Sequence, residues 1–307
     1  MKLILLGLLL SSPVIVSEEP ITITIAVGAS NASFDFHGRI ETVISEQDKD
    51  AFQITNDILK RGVEGTLGSR PDFVSLGEWK DMYRERKWSH VKRILYPIKA
   101  EVVSIRSEPV IVSIQTFSNH FSHTATYKAG ISSEIKNSIT SSWFDSQSLT
   151  RGTQISYGIN FKVPGSNGSE LSAGMSTSDS LSFTTNWGVT SFEEKATTVA
   201  SSSEVSVELD PGQEAVAALT ATKGSMEVQI DYVASLKGDV AAKFSYPQRG
   251  RYYWRVDINT LLSAIDMPIH IFSRQILKIG YYSEAKVTLT DKHSKKMLYE
   301  GPAVVKA

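Results

Sequence analysis

The chain has no cysteine among its 307 residues. Disulfide staples and thiolate metal sites are therefore excluded, and stability must come from burial of an apolar core. It also lacks an excess of either charge, with 32 Lys and Arg against 33 Asp and Glu. No net field draws it to nucleic acid, and no nucleic-acid partner is expected. Downstream of the start no apolar run approaches the ~20 residues of a membrane-spanning helix. The apolar run Leu3 to Leu10, led by Met1 and Lys2 and followed by Ser11 to Ser17, has the pattern of a secretory signal. The expectation is a signal over 1–17, a mature chain from near Glu18, and secretion.

Catalytic signatures are missing as well. The sequence contains no Gly-x-Ser-x-Gly elbow, no His-Glu-x-x-His and no Gly-rich nucleotide loop between strand and helix. No catalytic residue, metal or cofactor is assigned, and the chain reads as a non-enzyme. His120 and His123 are three apart, which on a strand sends them to opposite faces, so they read as histidines of a half-exposed sheet. Glu193 and Glu194 read as a solvated turn.

What the sequence does have is alternation. Ile21, Ile23, Ile25 and Val27 alternate with Thr22, Thr24 and Ala26, predicting a first strand. Ser45 to Lys60 changes to helical spacing through Ala51, Ile54, Ile58 and Leu59, closed by Lys60-Arg61-Gly62. A short second helix is expected behind Ser75 and Glu78, spaced as a capping box. Beyond about residue 100 the helical signal ends and strand follows strand. The expected organisation is an α+β head over 18–100 and a β domain over 101–307.

Between Thr116 and Ser203 the composition shifts to Ser, Thr, Gly and Asn while odd-numbered positions stay apolar. Ile155, Tyr157, Ile159, Phe161 and Val163 oppose Gln154, Ser156, Asn160 and Lys162. A turn signal at 164–168 follows, and Leu171, Ala173, Met175, Leu181 and Phe183 resume the same parity. Together they describe a long amphipathic hairpin. A second such stretch carries Tyr127, Ile131, Ile135, Ile139 and Trp143 on one face, with Phe144 beside Trp143 as an aromatic tip. Strands of about 9 to 11 residues with one apolar and one polar face suit a membrane barrel, which one hairpin cannot close without oligomerisation. Any half-buried strand shows the same alternation.

Several segments in order carry a family resemblance. They are Ile155-Ser156-Tyr157-Gly158, Asn186-Trp187-Gly188, the run Val205 to Gln213, Leu219-Thr220-Ala221, Asp231-Tyr232-Val233-Ala234 and Ile279-Gly280-Tyr281-Tyr282-Ser283. From Ser142-Trp143 to Asp291 the chain resembles the aerolysin-like ETX/MTX2 pore-forming toxins. Within them it resembles the branch of spherulin-2A-like and insect follicular-epithelium yolk proteins. The Trp79 to Pro97 segment is similar to the region leading into that family's β domain.

The resemblance implies a mainly β, elongated aerolysin-like protein with long twisted antiparallel strands and a smaller α+β N-terminal region. It implies a homo-oligomer that meets a membrane lipid or glycan receptor and inserts a hairpin, or else a yolk or egg storage protein deposited in egg or follicle without pore activity. A third expectation is carbohydrate binding by the head through Trp79, Tyr83 and Trp88. Sequons at Asn31 and Asn167 predict N-glycans, and a glycan at Asn167, in the hairpin turn, would be costly to carry through hydrocarbon.

Overall fold

The computed structural model describes residues 19–27, 32–144, 154–161, 180–201 and 205–306. The first third runs β1 (Glu19–Val27), β2 (Ala32–Val43), α1 (Glu46–Ala51), α2 (Asn56–Leu67), β3 (Phe73–Ser75) and α3 (Lys80–Arg86). Next come β4 (Lys92–Ser118), β5 (Ala125–Ala129), β6 (Ser132–Phe144), β7 (Gln154–Phe161), β8 (Ser180–Asn186) and β9 (Ser191–Ser201). The chain finishes with β10 (Val205–Leu209), β11 (Glu214–Lys237), β12 (Asp239–Gln248), β13 (Arg251–Asp257), α4 (Ile258–Ser263), β14 (His270–Asp291) and β15 (Met297–Lys306). It is a mainly β protein with long strands, as the sequence predicts. Strands β4, β11 and β14 hold 27, 24 and 22 residues, against a usual length of about five or six.

The hydrogen-bonded order of the large sheet is β15-β9-β6-β14-β11-β4-β2-β1-β7-β8, and β14 also pairs with β15. Two smaller sheets have the orders β10-β5 and β13-β12-β3. Two compact units emerge. One holds residues 38–95 and 234–270, and the other holds 20–37, 96–233 and 271–307.

In the first unit the predicted single helix divides. Ser45 and Asp48 form a reciprocal capping box on α1, and Thr55 caps α2 by accepting the N–H of Ile58 at 3.2 Å. Between them Phe52 and Ile54 turn into the core. The helix also runs past Gly62, the expected stop, to end at Gly68, whose φ of 79° supplies the left-handed cap. Gly62 is there for proximity: a Cβ on it would lie 2.2 Å from Leu261 Cδ2 of α4. The second helix starts at Lys80, later than its expected cap. Ser75 ends β3 instead, and its Oγ donates to Glu78 at 2.6 Å. Ile258 opens α4 behind the Asp257 cap.

The second unit packs Ile131, Ile135, Val199, Leu209, Ala217, Leu219, Val287 and Leu289 into one core. Apart from Ile131, which lies between β5 and β6, these residues come from five of the strands, so alternation along each strand closes a shared interior. At the Asp210-Pro211-Gly212 turn, Gly212 has φ 77° as a reversal there requires. His120 and His123 lie in the loop between β4 and β5, not on a strand as expected. Asn119 sets that loop by donating to Leu209 O at 2.7 Å and His123 O at 3.0 Å. Glu193 and Glu194 are in β9 and not in a turn, and Glu194 pairs with Lys136 at 2.8 Å.

Candidate functional site

The predicted hairpin strands are paired. β7 and β8 run antiparallel in the register Gln154↔Asn186 to Asn160↔Ser180. Their alternation is expressed as burial: Ile155, Tyr157 and Phe183 are at most 1% exposed, while Gln154, Ser182, Thr184 and Asn186 face solvent. Ile159, Phe161 and Leu181 take backbone positions in the same strands. Val163, Leu171, Ala173, Met175, Asn31 and Asn167 lie outside the described residues.

The inward face meets a partly polar floor. Tyr157 O–H donates to Gln275 Oε1 at 2.7 Å and Tyr232 O–H to the same oxygen at 2.8 Å. Gln275 Nε2 donates to Ser141 Oγ at 2.7 Å. Burial pushes both phenols above their ordinary range. Just past β8, Trp187 packs on Trp143 of β6 and Tyr232 of β11 with centroids 4.3 and 5.0 Å apart. The Nε1 atoms of Trp143 and Trp187 are buried without a hydrogen-bond partner. Each such donor costs about 1–3 kcal/mol, against about 1.5–3 kcal/mol gained per large apolar side chain buried. The floor therefore holds the hairpin less tightly than a wholly apolar one would.

The outer edges are also engaged. β1 pairs in parallel with β7 from Ile21↔Ile155 to Val27↔Phe161. Lys195 of β9 hydrogen-bonds Ser182 O and lies 5.3 Å over the Phe183 ring. The β1 contact and the Gln275 floor were missed by sequence reasoning. Gln275 left a signal, since it occupies the buried parity of Ser273, Leu277 and Ile279 in β14.

The second amphipathic stretch is divided between partners. β5, with Tyr127, pairs with β10, whereas β6, with Ile135, Ile139 and Trp143, pairs with β9 and β14. β5 and β6 thus form no hairpin with each other in this structure. Ile131, Ile135 and Ile139 are core residues, Trp143 is half-buried in the aromatic cluster, and Phe144 is exposed. Among the described residues no helix is long and apolar enough to cross a membrane. No group of three or more His, Asp or Glu side chains among them is placed to hold a metal ion.

No family model matches the sequence. U-megalopygitoxin(8)-Mc8 of Megalopyge crispata is 33% identical over 269 residues, covering 87% of this chain and 89% of that protein. U-megalopygitoxin(8)-Mo12 of Megalopyge opercularis is 32% identical over 268 residues, covering 86% and 89%. Among solved structures, the parasporin-2 toxin of Bacillus thuringiensis superposes with a TM-score of 0.51 at 15% identity, covering 86% of this chain and 98% of that one. That likeness concerns the fold, and it agrees with the aerolysin-like β architecture expected from the sequence. With a third of its residues shared along most of both chains, this protein belongs to the U-megalopygitoxin(8) family.

Proposed function

We propose that this protein is secreted, assembles as a homo-oligomer on a membrane displaying a lipid or glycan receptor, and perforates it without enzymatic chemistry. The inserted element is the β7–β8 hairpin. Ile155, Tyr157, Ile159, Phe161, Val163, Leu171, Ala173, Met175, Leu181 and Phe183 turn toward lipid. Gln154, Ser156, Asn160 and Ser182 line the wet lumen. The observation that carries this reading is the docking of an amphipathic hairpin over a floor with unpartnered indole N–H groups. Closure of a shared barrel offsets the edge and burial lost on undocking, because it satisfies every backbone group of the inserted strands. The toxin names of the relatives favour this reading over yolk or egg storage. β7–β8 is favoured over the 127–144 stretch because it is already a hairpin.

The test is dye release from liposomes by the secreted protein, with oligomer size read on a native gel, before and after enzymatic deglycosylation. Release together with a discrete oligomer is the expected result. A monomer inert toward all lipid mixtures overturns the proposal and returns the storage role.

A further inference from the structure

The first unit carries a stack of alternating rings and cations that the hairpin does not use. Lys243 Nζ lies 5.8 Å over both the Phe73 and Tyr253 rings, and the Arg86 guanidinium lies 5.4 Å over both Tyr253 and Trp88. Arg251 lies 5.8 Å over Trp254. Strand pairing builds this order, since Lys243 of β12 is registered opposite Tyr253 on one side and Phe73 on the other. Along it opens a groove of about 600 Å³ lined by Arg86, Trp88 and residues 251–255, a size suited to a small ligand.

Three features of the groove point to one ligand chemistry. Its cations are not neutralised: Arg255 meets Asp239 at 3.7 Å, but Arg86, Lys243 and Arg251 form no ion pair among the described residues. A guanidinium stacked on a ring is held flat with its N–H edge free, which suits paired hydrogen bonds to an oxyanion. Of the groove's rings Tyr252 is 51% exposed and offers a flat π face of the kind that accepts the C–H face of a pyranose. A bare phosphate group would leave most of this length and all of the rings unused.

We propose that this groove binds a sulfated saccharide, with Arg86 and Arg251, held on Trp88, Tyr253 and Trp254, gripping sulfate and the exposed Tyr252 receiving a sugar ring. The site names a receptor chemistry for the pore-forming reading, yet it is read without a membrane. Isothermal titration of the full secreted chain with a heparin-type tetrasaccharide is compared with a neutral tetrasaccharide and with phosphatidylserine vesicles. Saturable binding of the sulfated sugar alone is expected. Arg86→Ala and Arg251→Ala should each weaken it about tenfold or more, with unchanged melting curves, and Arg251→Lys should restore part of the loss. Absence of saturable binding overturns the proposal, as does equal affinity for the neutral sugar, indifference to both variants, or binding to the vesicles only. Failure of dye release leaves this result standing, so the two readings fail separately.

Discussion

At the scale of single residues, the Tyr157 hydroxyl is one of two that converge on Gln275 Oε1. Tyr157→Phe leaves that oxygen one donor, so the loss should be about 1 kcal/mol, seen as a slightly lower urea midpoint and earlier dye release. Phe183→Ala removes a buried ring and leaves a cavity, for about 3–5 kcal/mol and a much lower midpoint. Equal effects of the two would contradict the apolar side of the face as the main hold. Glu78 gives a pH test. Burial, its largest influence, raises the carboxyl, but hydrogen bonds from Ser75 and the Leu76 N–H, with Lys49 nearby, outweigh it and hold the group at about 2. The folded value lies below the unfolded 4.5, so its contribution is complete above pH 4.5 and is lost as pH falls to about 2. The melting temperature of Glu78→Gln should therefore fall less steeply than that of the parent across this window, and parallel profiles would refute the assignment.

At the scale of elements, the proposed insertion requires β7 to leave its neighbour β1 first. Thr24 and Gly158 face each other in that pairing, and a Cβ on Gly158 would stand 3.8 Å from Thr24 Oγ1. Adjacent strands are about 4.8 Å apart, within disulfide reach. Since the chain has no cysteine, the Thr24→Cys, Gly158→Cys double variant has one possible intramolecular disulfide. Its oxidised form should release no dye and its reduced form should recover. Release by both forms would show that insertion does not need β1 and β7 to part. The elements legible beforehand were those whose burial follows a local period: β1, β7 and β8. Helix ends were less legible, because Gly62 serves a contact with Leu261, more than a hundred positions away in the chain.

At the scale of the whole molecule, the first unit is assembled from two separate stretches of chain. Tyr83 binds them: its hydroxyl lies 2.7 Å from Ser75 O and 2.8 Å from Asp239 O, and it accepts the Ala241 N–H at 3.1 Å. A fragment of residues 18–100 lacks β12, β13 and α4 and should be unfolded by circular dichroism. A chain joining 38–95 to 234–270 should be folded. A cooperative melt of the 18–100 fragment would overturn this prediction.

The sequence by itself determined the strand-rich class and the two amphipathic stretches, and it left both of them as hairpin candidates. Side-chain alternation and turn residues act over a few positions and need no partner to be read. Only the tertiary structure decided that β5 and β6 go to different partners and that β1 lies along β7. It also decided that Gln275 and Tyr232 meet Tyr157, and that Phe73, Lys243, Tyr253, Arg86 and Trp88 line up. These depend on which strand edges meet and in what register, and backbone hydrogen bonds between distant strands carry almost no mark of the residues that make them.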